Sequence, residues 1–434
     1  MKLKMTWPGL LIAAVPLCAQ AEPWEFDEPI AVTASNGGKT FHHLESAGRH
    51  NIAVSADTVA VAWEDDRDGT PRIYLARKPL NAKAFSAEVN ISGNGEAFEP
   101  SLLALENNRF ALAWEEDARI HVRLVTPDEL GPVVILGESD AMQPSLATRD
   151  HQLLLVYSRR DGRFGRIWIQ GIEMDGLTLQ PTPGCAVDAK PAKDEQLYPT
   201  VVSLANQTDH TIVAWEDRRP GHTIIMAAES RDKNSCHFHS PQRINKRLSK
   251  RSNASGTGDG AARDKKLKDQ RIAFGKGFGA ARVALAQYGA GQVLAVWADK
   301  RNFREGYDIY AADYQPGNTS LFGPNVKVQD SFGGVAQQWH ATVAGDPSGR
   351  LVVAWDDKRD GDANIMLSWL EADSWSDDVA VPGADGAGEQ NHPTITLDRE
   401  GNLHLAWVER TTVNGPTQLR YLFGQAIRNG AAEK

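Results

Sequence analysis

The segment Ala62-Trp63-Glu64-Asp65-Asp66-Arg67-Asp68-Gly69 recurs, with variation, from one end of the chain to the other. Its relatives are Ala113-Trp114-Glu115-Glu116, Ala214-Trp215-Glu216-Asp217-Arg218-Arg219, Val296-Trp297-Ala298-Asp299-Lys300-Arg301, Ala354-Trp355-Asp356-Asp357-Lys358-Arg359 and Ala406-Trp407-Val408-Glu409-Arg410. A degenerate copy, Val156-Tyr157-Ser158-Arg159-Arg160-Asp161-Gly162, makes seven. Units of this size bury their apolar faces by stacking on one another, and a ring leaves no terminal unit uncovered. The aromatic markers are 51, 43, 58, 82, 58 and 52 residues apart, against about 40–50 for a four-stranded propeller blade.

The last full unit shows the grammar within a repeat. Apolar runs at 340–344, 351–355, 364–369 and 378–381 are separated by the turn segments Asp346-Pro347-Ser348-Gly349 and 357–362. Short apolar runs broken by Gly, Asp and Pro are strands and hairpins. No sustained 3.6-residue periodicity follows the N-terminal segment. The expected fold is an all-β, seven-bladed β-propeller occupying residues 22–434 as one domain. The final unit lacks a fourth strand, whereas residues 28–33 form a strand with no blade of their own. An N-terminal strand is therefore expected to complete the last blade and close the ring, removing free sheet edges. The 82-residue gap holds an insertion at about 243–275. Over 243–271 it carries ten basic and three acidic residues, the composition of a solvated loop or of a clamp for an acidic partner.

Residues 1–21 read as a secretory signal peptide: Lys2 and Lys4, a short apolar stretch at 10–17, and Ala19-Gln20-Ala21 as the cleavage site. Leu17 is bulky where a lipidated Cys18 would need a small residue before it. No later stretch is long enough to span a bilayer. Loss of Lys2 and Lys4, with no acid in 1–21, takes the formal charge from −9 to −11. That balance argues against general binding of nucleic acid or anionic membrane. The expected location is periplasmic or extracellular. Cys185 and Cys236 then remain as a pair, read as a disulfide joining repeats three and four, the alternative being two buried thiols.

In each marker segment the Trp (Trp63, Trp114, Trp215, Trp297, Trp355, Trp407) is expected to pack between blades, with acid and Arg pinning the following turn. A feature repeated in every blade is structural. The pattern W-[ED]-D-x-R-x-G-x-x-D-I-Y resembles the β-propeller repeats of secreted bacterial and archaeal surface proteins and the blades of sialidase-like propellers. The resemblance covers nearly all of 22–434 and supports the fold. The S-x-D-x-G-x-T-W boxes and Arg-Ile-Pro segment of sialidases are absent, so no sialidase catalytic residue carries over.

Strand order places the start of each first strand at one mouth of the central channel. Counting back from the markers gives Glu99, Gln143, Tyr198, Arg282, His340 and His392, with His50 and Arg49 for the first blade. Ionisable residues converging on a channel mouth are candidates for chemistry. His340 and His392 suit acid–base work, Arg282 a carboxylate, Tyr198 a proton; together they suit cleavage of uronate polysaccharides. Glu99 with Asp66, Asp217, Asp299 or Asp357 would supply the paired carboxylates of a glycoside hydrolase. His340 and His392 with Glu99 or His50 would make a metal site. Gln143, Trp339, His50 and Arg49 are candidate ligand contacts. No metal or cofactor is specified by motif: HExxH, CxxC, GxSxG and P-loop patterns are absent. The leading expectation is an exported module binding a glycan or an envelope protein at this mouth. A carbohydrate-active hydrolase or lyase and a structural envelope assembly factor are the alternatives.

Overall fold

A computed structural model describes residues 22–34, 40–44, 48, 50–204, 210–231, 236–246, 279–301, 306–331, 334–412 and 414–427. Those residues form seven antiparallel sheets and no helix. The chain is the expected seven-bladed propeller. The signal-peptide reading falls on residues outside this set. No helix among the described residues is long and apolar enough to cross a membrane.

Blade two shows the plan: Ala97–Ala104 innermost, then Phe110–Glu116, Arg119–Val125 and Val134–Leu136 outermost. The inner strands of blades three to seven are Ala141–Arg149, Gln196–Ser203, Ala280–Tyr288, Gln338–Gly345 and Glu389–Leu397. Blade one splits its inner strand into His42–His43 and Ile52–Ser55, both paired to Thr58–Asp65. The N-terminus closes the ring. Trp24–Phe26 and Ile30–Ala31 both pair with Gln418–Ala426, the third strand of blade seven.

Seven apolar clusters lie one at each blade junction, and each marker residue packs in the junction with the preceding blade. All six marker Trp are fully buried. At 150–250 Å² per ring and ~25 cal/mol/Å², each contributes about 4–6 kcal/mol of transfer free energy. A buried indole N–H needs an acceptor. The second motif acid provides it: Trp63, Trp114, Trp215, Trp297 and Trp355 donate to Asp65, Glu116, Asp217, Asp299 and Asp357 at 2.8–3.3 Å. The motif Arg then bonds the same carboxylate: Arg67, Arg219, Arg301 and Arg359. Arg67, Arg301 and Arg359 also reach the outer edge of their own blade, at Glu88, Asn325 and Asp378, whereas Arg219 reaches Asp188 at the outer edge of blade three. One guanidinium thus ties strand two to the blade's periphery. Glu116 of blade two takes backbone N–H groups of Gly93 and Gly95 in place of an Arg, both at 3.0 Å.

The disulfide joins Cys185 of blade three to Cys236 of blade four, as expected. Of the basic insertion, Gln242–Arg243 is the outer strand of blade four and Ile244 is buried; residues 247–278 lie outside the described set.

Candidate functional site

The first strands of blades two to seven begin with the same irregularity. Their pairing to strand two slips at Phe98/Ser101, Met142/Ser145, Leu197/Thr200, Ala281/Ala284, Trp339/Thr342 and Asn391/Thr394. At each slip one residue has positive φ: Glu99 (53°), Gln143 (61°), Tyr198 (52°), Arg282 (55°), His340 (48°) and His392 (52°). These are the six residues reached by counting back from the markers. A non-glycine residue in this region is strained, and a bulge re-aims its side chain. Proline follows four of them, at 100, 144, 199 and 393; its missing N–H is tolerated at a bulge.

The first motif acid holds this backbone in place. Successive strand residues face opposite ways, so the acid next to the Trp-bound one turns toward the following blade. Glu64 accepts the N–H of Glu99 at 3.4 Å, Glu216 that of Arg282 at 2.8 Å, and Asp356 that of His392 at 3.3 Å. Blade three has Ser158 there, and Gln143 Oε1 instead accepts the N–H of Tyr198 at 2.9 Å.

The ring's side chains gather into two groups. The Arg282 guanidinium lies 3.3 Å from the centre of the Tyr198 ring, and its Nη1 is 3.7 Å from Glu216. The His340 and His392 rings stack at 3.8 Å, and His43 of blade one meets His392 edge-on at 5.0 Å. His340 Nδ1 lies 2.6 Å from Asp356 Oδ1. Since a carboxylate only accepts, that contact makes Nδ1 the donor to Asp356. Burial holds His392 well below the usual imidazole range, with the neighbouring His340, His43 and Arg282 adding to the effect. It is therefore neutral at pH 7.

Blade one departs from the expectation. Seven residues separate His43 from Asn51 in the sequence, where blade two has only Glu99 and Pro100 between Phe98 and Ser101. Gly48 lies across the channel: Ser145 Oγ donates to its carbonyl at 3.2 Å, and a Cβ there would sit 2.5 Å from Val283 O. With φ of +80° and that approach, only glycine fits. His50 is consequently not at the mouth. It lines a cavity of about 230 Å³ on the far side, with Thr148, Ser203 and Thr396. Arg49 lies outside the described residues. His43, which the sequence reading missed, takes the first-blade place beside His392; its pairing opposite Glu64 emerges only in the fold. A larger hollow of about 400 Å³ also opens on the far face, beside Arg109, His151 and Arg399. Glu106, Asp150 and Asp398 line that hollow too; the mouth differs in bringing Tyr198 against Arg282 and His340 against His392 in direct ring contact.

Two other expectations are corrected. Asp217, Asp299 and Asp357 are buried partners of their own Trp and Arg, so they cannot join Glu99 as reacting carboxylates. Asp66 accepts the N–H of Phe41. Among the described residues no three His, Cys, Asp or Glu are placed to hold a metal, and the imidazoles of His340 and His392 are stacked rather than convergent.

Two consequences are measurable. Glu99→Gly removes a positive-φ side chain and is expected to leave stability unchanged or raise it by up to about 1 kcal/mol. Ala104→Gly, in the same strand with ordinary φ, costs about 0.5–1 kcal/mol. Urea denaturation of both checks this; equal losses would remove the strain. The second concerns acid. His392 takes up a proton in the unfolded chain near pH 6.5 but not in the fold. Its contribution to stability is therefore complete above about pH 6.5 and shrinks as pH falls. His392→Gln, which copies Gln143, should lessen the drop in Tm between pH 7.5 and 5.5; parallel Tm profiles would refute it.

The sequence matches no protein-family model and no curated protein. Solved structures resemble the chain at low identity. A protein of unknown function from Dyadobacter fermentans is 12% identical, covering 94% of this chain and 100% of its own, with a TM-score of 0.51. An α-L-arabinofuranosidase from Fusarium graminearum is 11% identical over 76% of this chain and 93% of its own, TM-score 0.49. An α-L-arabinanase from Penicillium chrysogenum is 13% identical over 75% and 92%, TM-score 0.48. At such identities the first likeness extends to the propeller fold and no further.

Proposed function

We propose that this is an exported carbohydrate-active protein whose channel mouth binds an acidic glycan and cleaves it by β-elimination. The observation that carries the reading is the order of side chains around the ring. Tyr198, Arg282, His340 and His392 come from four consecutive blades, with Arg282 against Tyr198 and His340 oriented by Asp356. A uronate offers a carboxylate for Arg282. His340 Nε2 takes the proton from C5, and that electron pair forms the C4–C5 double bond. The C4–O4 bond breaks, and the leaving oxygen takes the Tyr198 hydroxyl proton. His340 returns its proton to Tyr198 through solvent, and no water is consumed. Neutral His392 lets the stacked His340 gain charge without a second cation against it.

Hydrolysis is less well served. Glu64, Glu216 and Asp356 are held by backbone N–H groups or by Arg282 and His340, whereas hydrolysis needs two carboxylates flanking the bond. The basic composition of the insertion supports an acidic ligand, since Lys246 and Gly279 at its ends lead to and from the mouth face. The Cys185–Cys236 disulfide supports export to an oxidising compartment.

The test is turnover of galacturonan, alginate, glycosaminoglycans and neutral arabinan, followed by ultraviolet absorbance of unsaturated uronate and by reducing ends. Absorbance is expected with one acidic polymer and should fall about a hundredfold in Arg282→Ala and His340→Ala. Reducing ends from a neutral polymer without absorbance would overturn the lyase chemistry. Binding without turnover would leave a recognition module.

A further inference from the structure

A polymer held at the ring also lies on what surrounds it. Immediately before each of the six ring residues of blades two to seven stands one paired opposite the first motif acid or its replacement: Phe98, Met142, Leu197, Ala281, Trp339 and Asn391. All six are partly exposed, forming a second, outer circle at the mouth. Trp339 offers the largest flat surface in it. The Tyr307 ring backs it at 3.9 Å, and the His340 imidazole lies 6.1 Å away. Its Nε1–H is tethered in the ring plane to Gln337 Oε1 at 3.2 Å. Lys300 Nζ is 5.8 Å from the centre of the Tyr307 ring and has no carboxylate partner among the described residues.

We infer that Trp339, backed by Tyr307, is a stacking platform for the sugar next to the cleaved linkage, and that Lys300 receives that sugar's carboxylate; this rests on the acidic-glycan reading above. A pyranose presents a face of C–H bonds to an aromatic ring, and a ring held in place by a neighbouring ring adds contact area at little entropic cost. The Lys300 ammonium selects a charged neighbour over a neutral one. The platform is a specificity element, and the reacting groups remain His340, Tyr198 and Arg282.

The experiment is calorimetric titration of the Tyr198→Phe protein, which cannot complete cleavage. The probes are galacturonate, mannuronate and glycosaminoglycan oligosaccharides from dimer to hexamer. Trp339→Ala on that background should weaken tetramers and hexamers about tenfold and dimers less than twofold, with partial rescue by Trp339→Phe. Lys300→Met should weaken the same acidic oligomers and leave the Tm unchanged. If the parent binds but Trp339→Ala binds all lengths equally well, or loses all lengths equally, the platform is wrong and the acidic-glycan reading stands. If the parent binds none of the acidic oligosaccharides, both fall.

Discussion

Asp357→Ala is expected to lose about 3–5 kcal/mol of stability, far beyond an ordinary surface carboxylate. Asp357 is fully buried. It accepts the Trp355 indole N–H at 3.1 Å, the Arg359 backbone N–H at 2.9 Å and the Arg359 guanidinium at 2.7 Å. The alanine would strand three donors in a region water does not reach, and would leave Arg359 pulled outward by Asp378 and Asp330 alone. Blade seven supplies the control. Trp407 Nε1 has no hydrogen-bond partner among the described residues, and Glu409 pairs with Arg420 at 3.8 Å. Glu409→Ala should therefore cost less than about 1 kcal/mol. Urea unfolding of the two variants decides it, and similar small losses in both would show that the buried clamp contributes no more than a surface pair.

Removal of residues 22–33 is expected to abolish the folded monomer. Trp24 is 3% exposed, meets Trp369 edge-on at 6.0 Å and donates to Gly401 O at 2.9 Å. Its burial alone contributes about 4–6 kcal/mol at ~25 cal/mol/Å². Behind it, Val32 donates to Leu419 O, and Thr33 Oγ1 accepts the Leu419 N–H. Truncation would expose the whole outer edge of Gln418–Ala426, a ready template for pairing with other chains. Size-exclusion chromatography and near-ultraviolet circular dichroism would report oligomers or lost tertiary signal, and a peptide of residues 22–33 added in trans should restore the monomer. A truncated monomer with unchanged Tm would mean that the ring closes by blade packing alone.

The architecture was readable because its chemistry is repeated. Every blade must bury an aromatic residue and satisfy what that residue brings, so Trp63 through Trp407 announce themselves. Six ring residues were reachable because the bulge fixes their distance from strand two in space, even where loop length moved the count, as at Gln143 and Tyr198. The same counting failed in blade one, where seven residues separate His43 from Asn51 and Gly48 crosses to Val283; nothing local in the sequence announces that crossing. The two motif acids look equivalent in sequence. Strand alternation separates them, sending Asp217 to its Trp and Glu216 to the backbone of the next blade. Pairings such as Tyr198 with Arg282 and His340 with Asp356 depend on neighbours in space, which a linear pattern does not carry.

Gly48 from blade one touches Ser145 of blade three and Val283 of blade five, so this one residue braces three blades near the axis beneath the mouth. On the proposed reading a long polymer would be laid across that mouth like a rope over a dish, so that any linkage along its length can be presented. Cleavage there would shorten chains from the middle, with viscosity falling well before small fragments accumulate.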